Sequence, residues 1–180
     1  KARKEGISSL IGAMFLVDWL TIENISCVMI SHEDTATQRL FDRVKYFLDS
    51  MSKTWPGTLP YKLKFNSKHE MVNLTMNSKF YVGTAGARAF GRGDDIHNLH
   101  ISELSSWPEQ ERMMLGVTNS VTANGRIIIE TTANGRGDYF YKMCVNSRAG
   151  KSPYRFHFIP WFEDLTNVMP ITEPSLELTP

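Results

Sequence analysis

Residues 96–103 of this chain read Ile96-His97-Asn98-Leu99-His100-Ile101-Ser102-Glu103, an apolar run that ends in a carboxylate. A run of this length and character is typical of a buried β-strand. Polar side chains that follow buried parallel strands lie at the carboxyl edge of the sheet, where α/β proteins bind their ligands. Glu103 is therefore a candidate catalytic carboxylate, able to orient or deprotonate a water molecule. Taken alone, the segment is also compatible with a strand that ends in Ser-Glu by chance.

The beginning of the chain matches part of a phosphate-binding loop, the Walker A motif. The general pattern Gly-x-x-x-x-Gly-Lys-Ser/Thr puts its first glycine at Lys1 and its lysine at Ile7, so two of its four fixed positions differ. Gly6 and Ser8 occupy the other two positions. A helix that begins with a capping serine explains the same residues equally well.

Basic residues before the loop could supply the positive charge that the loop lysine usually provides. Lys1, Arg3 and Lys4 precede Gly6 and the predicted start of a helix, and a helix N-terminus attracts anions. We expect Arg3 to replace the missing lysine. A serine hydroxyl next to the loop would bind a divalent metal such as Mg²⁺, and the sequence does not choose between the two adjacent serines. The predicted ATP-binding residues are Lys1, Arg3, Gly6, Ile7, Ser8 and Ser9, with Ser8 or Ser9 as the metal ligand.

Composition is compatible with one ordinary domain. A chain of 180 residues with 42% hydrophobic residues can bury a core of that size. Its formal net charge of +1 gives no global basic excess, so charge neither indicates nor excludes nucleic acid. Cys27 and Cys144 lack metal-ligand spacing and are expected to be buried thiols in a reducing compartment. The longest apolar stretch, 10–20, contains Asp18 and is too short to cross a bilayer, so we predict no membrane association.

Hydrophobic periodicity predicts helices that alternate with strands. This order indicates an α/β fold with a mainly parallel sheet flanked by helices and an antiparallel hairpin excursion at about 61–83. Together with the partial phosphate-loop match at 1–9, it leads us to expect the P-loop NTPase type of this fold. We predict one domain over 1–164 and a linker-like tail over 165–180, which contains three prolines. The predicted helices are 8–22, 34–51, 108–121 and 137–147, and the predicted strands are 25–31, 61–65, 71–76, 80–83, 96–103, 127–129 and 154–161.

A third polar cluster follows the predicted strand 127–129. It reads Glu130-Thr131-Thr132-Ala133-Asn134-Gly135, and an aromatic helix that starts near Asp138-Tyr139-Phe140-Tyr141 comes after it. Together with the loop at 1–9 and the segment Ser102-Glu103-Leu104-Ser105-Ser106-Trp107-Pro108, it resembles the ATPase domain of the large terminase subunit of tailed bacteriophages. The three segments agree with that family in order and spacing over about residues 1–164.

The resemblance implies a motor that hydrolyses ATP, with Mg²⁺, to drive double-stranded DNA into a procapsid. It further implies a portal protein and a small terminase subunit as partners, a homo-oligomeric ring, and action in the cytoplasm of a bacterial host while docked on the procapsid. In this family a nuclease domain follows the ATPase domain, so we expect no nuclease activity here. A strand that normally precedes the phosphate loop would lie upstream of Lys1.

The resemblance also implies roles for particular residues. Glu103 is the catalytic carboxylate that ends the Walker B strand, and Ser102 stands where an acidic residue is usual, which leaves it at most a second-shell metal position. Arg92 corresponds to an arginine finger that reaches the ATP of a neighbouring subunit, although Arg88 competes for this role and a solvated arginine is equally compatible with the sequence. The predicted coupling motif, which senses the terminal phosphate, consists of Thr131, Thr132 and Asn134.

Two other functions remain compatible with the sequence. Another P-loop ATPase, such as a helicase-like translocase, would share the loop and the carboxylate but not the cluster at 130–135. A nucleotide-binding assembly module without turnover would explain why Ile7 replaces the loop lysine and Ser102 replaces the acid.

Overall fold

The computed structural model describes residues 6–86 and 95–163, except for the side chains of Phe65 and Trp161. This part of the chain contains four α-helices and six β-strands, and four of the strands follow one another between the second and third helices. The helices are α1 (Ile7–Thr21), α2 (Asp34–Thr54), α3 (Gln110–Thr118) and α4 (Tyr139–Arg148), and the strands are β1 (Ser26–Ser31), β2 (Leu63–Asn66), β3 (Glu70–Asn73), β4 (Ser78–Thr84), β5 (Ile96–Ser102) and β6 (Val121–Glu130).

The six strands form one sheet in the order β2-β3-β4-β1-β5-β6. Strand β1 pairs in parallel with both β4 and β5, and β5 pairs in parallel with β6. Strands β2 and β3 extend the sheet from β4 in antiparallel register. The predicted α/β fold with a mainly parallel sheet and an antiparallel excursion is thus confirmed, and the parallel strands bring their carboxyl ends to one edge.

The sheet has an apolar core on each face, as the near-continuous apolar sequences of its central strands require. Helices α1 and α2 cover one face, where Phe15 and Trp19 pack with Phe41 and Phe80. On the other face the buried residues of β5 pack with Trp107 and the apolar side of α3. None of the described helices is long and apolar enough to cross a membrane.

Hydrogen bonds attach the C-terminal part of helix α1 to the sheet. Trp19 Nε1 donates a hydrogen bond to the backbone oxygen of Ser78 at 3.1 Å. Near the end of the helix, Asp18 Oδ2 accepts from Asn98 Nδ2 at 2.9 Å and from Arg126 at 3.1 Å. Since Asn98 and Arg126 lie in β5 and β6, α1 runs antiparallel to these strands and begins at their carboxyl ends.

Helix α1 also covers Cys27, which is fully buried in β1. The Cys27 thiol donates to the backbone oxygen of Phe15 at 3.5 Å. Burial, more than any neighbouring group, raises the pKa of this thiol to about 12. Cys144, in α4, is only half-buried, contrary to expectation.

The predicted strand 127–129 covers only the last part of the observed strand β6. The strand begins at Val121, where a helix end was predicted, because Gly125 forms a bulge within the strand instead of a break before it. A Cβ atom at Gly125 would lie 2.4 Å from Val121 Cγ1 and 3.1 Å from the backbone oxygen of Ile96. Only glycine fits this close approach of the two strands.

The prediction of a last strand over 154–161 was wrong. Tyr154 and Phe156 alternate with more exposed residues, but the segment pairs with none of the described strands. It lies instead beside an open groove of about 400 Å³, which Ile127–Ile129 and residues of α4 complete. Alternation here reflects packing against this groove, and β6 remains the edge strand of the described sheet.

We expect Phe15→Ala to destabilise the protein by about 3–5 kcal/mol, because Phe15 is fully buried between α1 and the sheet. Leu10→Ala is the matched control, since Leu10 lies on the same helix but is 58% exposed. It should change the free energy of unfolding by less than about 0.5 kcal/mol. Urea unfolding followed by circular dichroism measures both values, and equal effects would contradict the described orientation of α1.

Candidate functional site

Three predicted motifs meet at the carboxyl edge of the sheet. Strands β5 and β6 end side by side there, with Ser102 in register with Glu130. One residue further on, the backbone N–H of Glu103 donates to the backbone oxygen of Glu130 at 2.8 Å. The first turn of α1 reaches the same edge through Ser8. Segments about 95 and 120 residues apart in the sequence therefore form one site.

Glu103 has an unusual backbone conformation at this edge. Its φ of 54° and ψ of 48° lie in the left-handed region, which costs a residue other than glycine on the order of 1–3 kcal/mol. Its side-chain Oε2 accepts from the Thr132 backbone N–H at 3.1 Å and lies 3.2 Å from the Thr131 hydroxyl. The turn and these contacts together hold the carboxylate in one position just beyond β5.

Thr131 connects this carboxylate to the next turn of the chain. Its hydroxyl is buried and accepts from the backbone N–H of Ser105 at 3.3 Å. The same hydroxyl lies within donating distance of Glu103 Oε2 and of the Thr132 backbone oxygen, at 3.2 and 2.9 Å. Asn134, the third residue of the predicted coupling motif, is exposed and makes none of these contacts. The structure therefore brings Thr131 and Thr132, but not Asn134, against Glu103.

The two candidate metal-binding serines face different neighbours. Ser8 Oγ donates to Glu130 Oε1 at 2.8 Å, at the carboxyl edge of the sheet. Ser9 Oγ instead accepts from the guanidinium of Arg43, in α2, at 2.8 Å. Gly6, with φ 72°, precedes the helix and has no side chain to cap its first amides. Of the two serines, Ser8 is the one whose hydroxyl lies at the site.

Ile7 occupies the position of the usual loop lysine but has a different environment. It is half-buried and packs against the apolar core below α1. A lysine at this point of the helix would have to turn its charge away from that core. An isoleucine rather than a lysine at position 7 therefore fits the local packing.

Glu130 lies at the centre of a polar cluster that the sequence reasoning did not identify. Its Oε1 accepts from Ser8 and Ser102, both at 2.8 Å, and lies 3.3 Å from His100 Nε2. Glu130 is 6% exposed and His100 is fully buried. The available signal was an ionisable residue directly after the apolar run 127–129 and directly before the predicted coupling motif.

The donor set at this edge consists of oxygen atoms. Among the described residues no group of three or more His, Cys, Asp or Glu side chains is arranged to hold a metal ion. Two serine hydroxyls and one carboxylate do converge at the Ser8–Glu130–Ser102 contacts. Mg²⁺ prefers such oxygen ligands, usually one or two carboxylates completed by water and phosphate oxygens, so these residues fit a magnesium-nucleotide site.

Several predicted site residues lie outside the described part of the chain. These are Lys1 and Arg3 of the loop and the two candidate finger residues, Arg88 and Arg92. The proline-containing tail 165–180 also lies outside it. Their roles stay predictions.

Several solved structures resemble this chain, three of which are large terminases from different phages. The large terminase of a thermophilic bacteriophage aligns with a TM-score of 0.68 and 13% identity, over 94% of this chain and 41% of that one. The large terminase of bacteriophage HK97 aligns with a TM-score of 0.67 and 15% identity, over 84% and 32%. The large terminase ATPase domain of Thermus phage P74-26 aligns with a TM-score of 0.60 and 15% identity, over 79% and 61%.

The terminase of the thermophilic phage was also solved in complex with ADP and with ATP-γ-S. No protein-family model and no curated protein matches the sequence. The chain spans less than half the length of the first two terminases. At 13–15% identity the likeness establishes the fold, which is the α/β fold of large terminase ATPase domains.

We expect Thr131→Val to destabilise the protein by about 1–3 kcal/mol. Valine keeps the shape of threonine but leaves the buried Ser105 N–H without its acceptor and removes a hydroxyl next to Glu103. Thr132→Val is the control, because Thr132 contacts Glu103 through its backbone N–H, which the substitution retains. Urea unfolding compares the two variants. A larger loss in Thr132→Val would contradict the described hydrogen bonds.

Proposed function

We propose that this chain is the ATP-hydrolysing part of a large terminase, which drives double-stranded viral DNA into a procapsid. The observation that carries the proposal is the position of Glu103. Its carboxylate lies at the carboxyl edge of the sheet, held by Thr131 and Thr132, at the edge where α1 begins. The fold shared with large terminase ATPase domains supports a packaging-motor role. Nucleotide binding is supported by the terminase that was solved in complex with ADP and with ATP-γ-S.

Nucleotide binding is assigned to the first turn of α1. Helix N-termini present backbone N–H groups and a partial positive charge, which suit phosphate. Gly6 allows the chain to turn into the helix, and Ser8 is our choice for the hydroxyl near the metal. Arg3, with Lys1, supplies the positive charge that Ile7 lacks. The role of Mg²⁺ at this site would be to neutralise phosphate charge.

Hydrolysis is assigned to Glu103. A carboxylate at the end of the Walker B strand orients the attacking water and accepts its proton. Because Thr131 and Thr132 contact this carboxylate directly, a displacement of the phosphate-sensing segment at 131–134 would move Glu103, and the reverse. This contact is a physical link between the state of the nucleotide and the end of β6.

The remaining elements of the proposal concern the assembled motor. Double-stranded DNA, a portal protein and a small terminase subunit are the proposed partners, and the chain would act in a homo-oligomeric ring in the cytoplasm of a bacterial host. Arg92, or else Arg88, would stabilise the charge on the phosphoryl group in the neighbouring subunit. Tail 165–180 would lead to the nuclease domain.

A binding module without turnover is the second candidate function. Ile7 packs against the core where a lysine would contact phosphate, and Ser102 replaces the usual acid. Such a module would bind ATP and change its assembly state without hydrolysis. A Glu103 substitution separates the two functions.

We expect Glu103→Gln to bind ATP as the parent does but to hydrolyse it about 10²–10⁴-fold more slowly, because glutamine cannot accept the proton of water. Binding of a fluorescent ATP analogue and phosphate release, both at high protein concentration, measure the two quantities. Glu109→Gln is the control, since Glu109 is exposed and pairs with Arg112. Equal hydrolysis by Glu103→Gln and the parent would refute the assignment, and ATP binding without any hydrolysis by the parent would favour the binding module.

For the trans-acting arginine we expect Arg92→Ala subunits to lower the turnover of assembled mixtures more than simple dilution does. An arginine finger contributes roughly a thousandfold or more in rate, so each parent subunit next to a variant would lose most of its activity. ATP turnover is measured as a function of the variant fraction. Arg88→Ala, measured in the same way, tests the competing assignment. A strictly linear decrease with Arg92→Ala, together with a steeper one with Arg88→Ala, would move the role to Arg88.

A further inference from the structure

The substitution of Ser102 for an acid raises the question of which group supplies the negative charge of the metal site. P-loop ATPases hold Mg²⁺ between a hydroxyl of the phosphate loop and a carboxylate at the end of the Walker B strand. In this chain the corresponding side chains are those of Ser8 and Ser102. Both hydroxyls donate to the same atom, Glu130 Oε1, at 2.8 Å. One carboxylate therefore contacts both positions.

Strand register explains how a residue in β6 reaches this point. Ser102 and Glu130 are direct neighbours in parallel strands, which lie about 4.8 Å apart. Glutamate has one more methylene group than aspartate, so it can reach back across that distance. The side chains of residues 102 and 130 also lie on the same face of the sheet, below the first turn of α1.

The carboxylate is held firmly in this position. Glu130 is 6% exposed, and its neighbour His100 is fully buried with Nε2 at 3.3 Å from Oε1. In the tautomer that carries its proton on Nε2, His100 is a third donor to this oxygen. The backbone oxygen of Glu130 accepts from the N–H of Glu103 at 2.8 Å, which joins the backbone of Glu130 to that of the proposed catalytic residue.

From these contacts we infer that Glu130 supplies the anionic oxygen of the Mg²⁺ site, in place of the acid that is absent at Ser102. This inference rests on the proposed function, since it assigns a residue to the nucleotide site of an ATPase. The metal site would thus consist of the Ser8 hydroxyl, the Glu130 carboxylate and oxygens of the nucleotide and water. Ser102 acts as a positioning residue, because it contacts the carboxylate rather than the metal.

A purely structural role for Glu130 makes a different prediction. If its carboxylate only satisfied the hydroxyls of Ser8 and Ser102, its replacement would weaken ATP binding equally with and without Mg²⁺. A metal-binding carboxylate instead repels phosphate oxygens when no metal is present and attracts the complex when Mg²⁺ is bound. The response of ATP binding to Mg²⁺ therefore distinguishes the two roles without any measurement of hydrolysis.

The test is titration of the protein with a fluorescent ATP analogue, in Mg²⁺ and in EDTA. For the parent we expect tighter binding in Mg²⁺. Glu130→Gln keeps the shape of the side chain and an acceptor oxygen. For this variant we expect the gain in ATP affinity from Mg²⁺ to fall by roughly 10- to 100-fold, the usual effect of changes around a metal site. Its binding in EDTA should be unchanged or tighter. An equal gain in parent and variant, or equal weakening in both solutions, would overturn the metal role.

Asp18→Asn is the matched control. Asp18 is a carboxylate in the last turn of α1, where it contacts Asn98 and Arg126, and its loss should leave the gain in ATP affinity from Mg²⁺ unchanged. If the parent binds no ATP in either solution, the proposed function fails, and the metal role fails with it. Binding by the parent without any gain from Mg²⁺ overturns the metal role alone.

A second variant moves the carboxylate from β6 to β5, and it tests the metal role if Glu130→Gln does not fold. Ser102→Asp/Glu130→Ser exchanges the two side-chain types between neighbouring strands, with both residues still at the site. We expect it to regain a large part of the Mg²⁺ gain that Glu130→Gln loses. A folded double variant that binds ATP with no response to Mg²⁺ would overturn the inference.

Discussion

The contact between Ser8 and Glu130 is the constraint on which the candidate site depends, because it joins the first turn of α1 to the ends of two strands. A buried carboxylate is costly unless hydrogen bonds compensate for its lost hydration. Glu130 receives these bonds only while α1 begins at the carboxyl edge and β5 and β6 keep their register. The energetic demand of one side chain thus fixes the relative positions of the three segments. Asp18 provides a second polar attachment at the far end of the helix, so the helix can neither slide nor rotate without the loss of both.

Much of the fold could be predicted from hydrophobic periodicity, because helices and buried strands leave strong patterns in sequences such as 34–51 and 96–103. The position of Glu103 at the carboxyl edge of the sheet could be predicted for the same reason, since it follows such a strand directly. Periodicity failed where other physics decides the outcome. Gly125 indicated a break before the strand but forms a bulge within it, because the backbone of Ile96 comes too close for any side chain. The alternation at 154–161 comes from packing against the groove and not from pairing with another strand. No sequence pattern could show that Ser8, His100 and Ser102 share one acceptor, because their meeting depends on the register of β5 and β6 and on the rotation of α1.

The likeness to terminase ATPase domains at 13–15% identity shows how little of a sequence a fold of this type requires. Cores accept many apolar combinations as long as volume and pattern are kept, so the sheet and its helices can persist while most residues change. Sites are less tolerant, and their changes tend to come in compensating sets. At the proposed site Ile7 packs in the core at the position where the phosphate-loop pattern has a lysine, and Glu130 of β6 contacts Ser102, which stands at the predicted position of the Walker B acid. These departures are intelligible only when neighbouring strands are considered together.

The burial of Cys27 under α1 has a practical consequence for experiments on this helix. Only a thiolate attacks common alkylating reagents. The Cys27 thiol is protected from alkylation both by its pKa of about 12 and by its burial under Phe15. Cys27 can therefore react only after α1 has separated locally from β1. Once the half-buried Cys144 is replaced by serine, the rate of Cys27 alkylation measures how often α1 opens. Because the first turn of the same helix carries Ser8, slower alkylation in the presence of a ligand would report occupancy at the carboxyl edge without any label on the site itself.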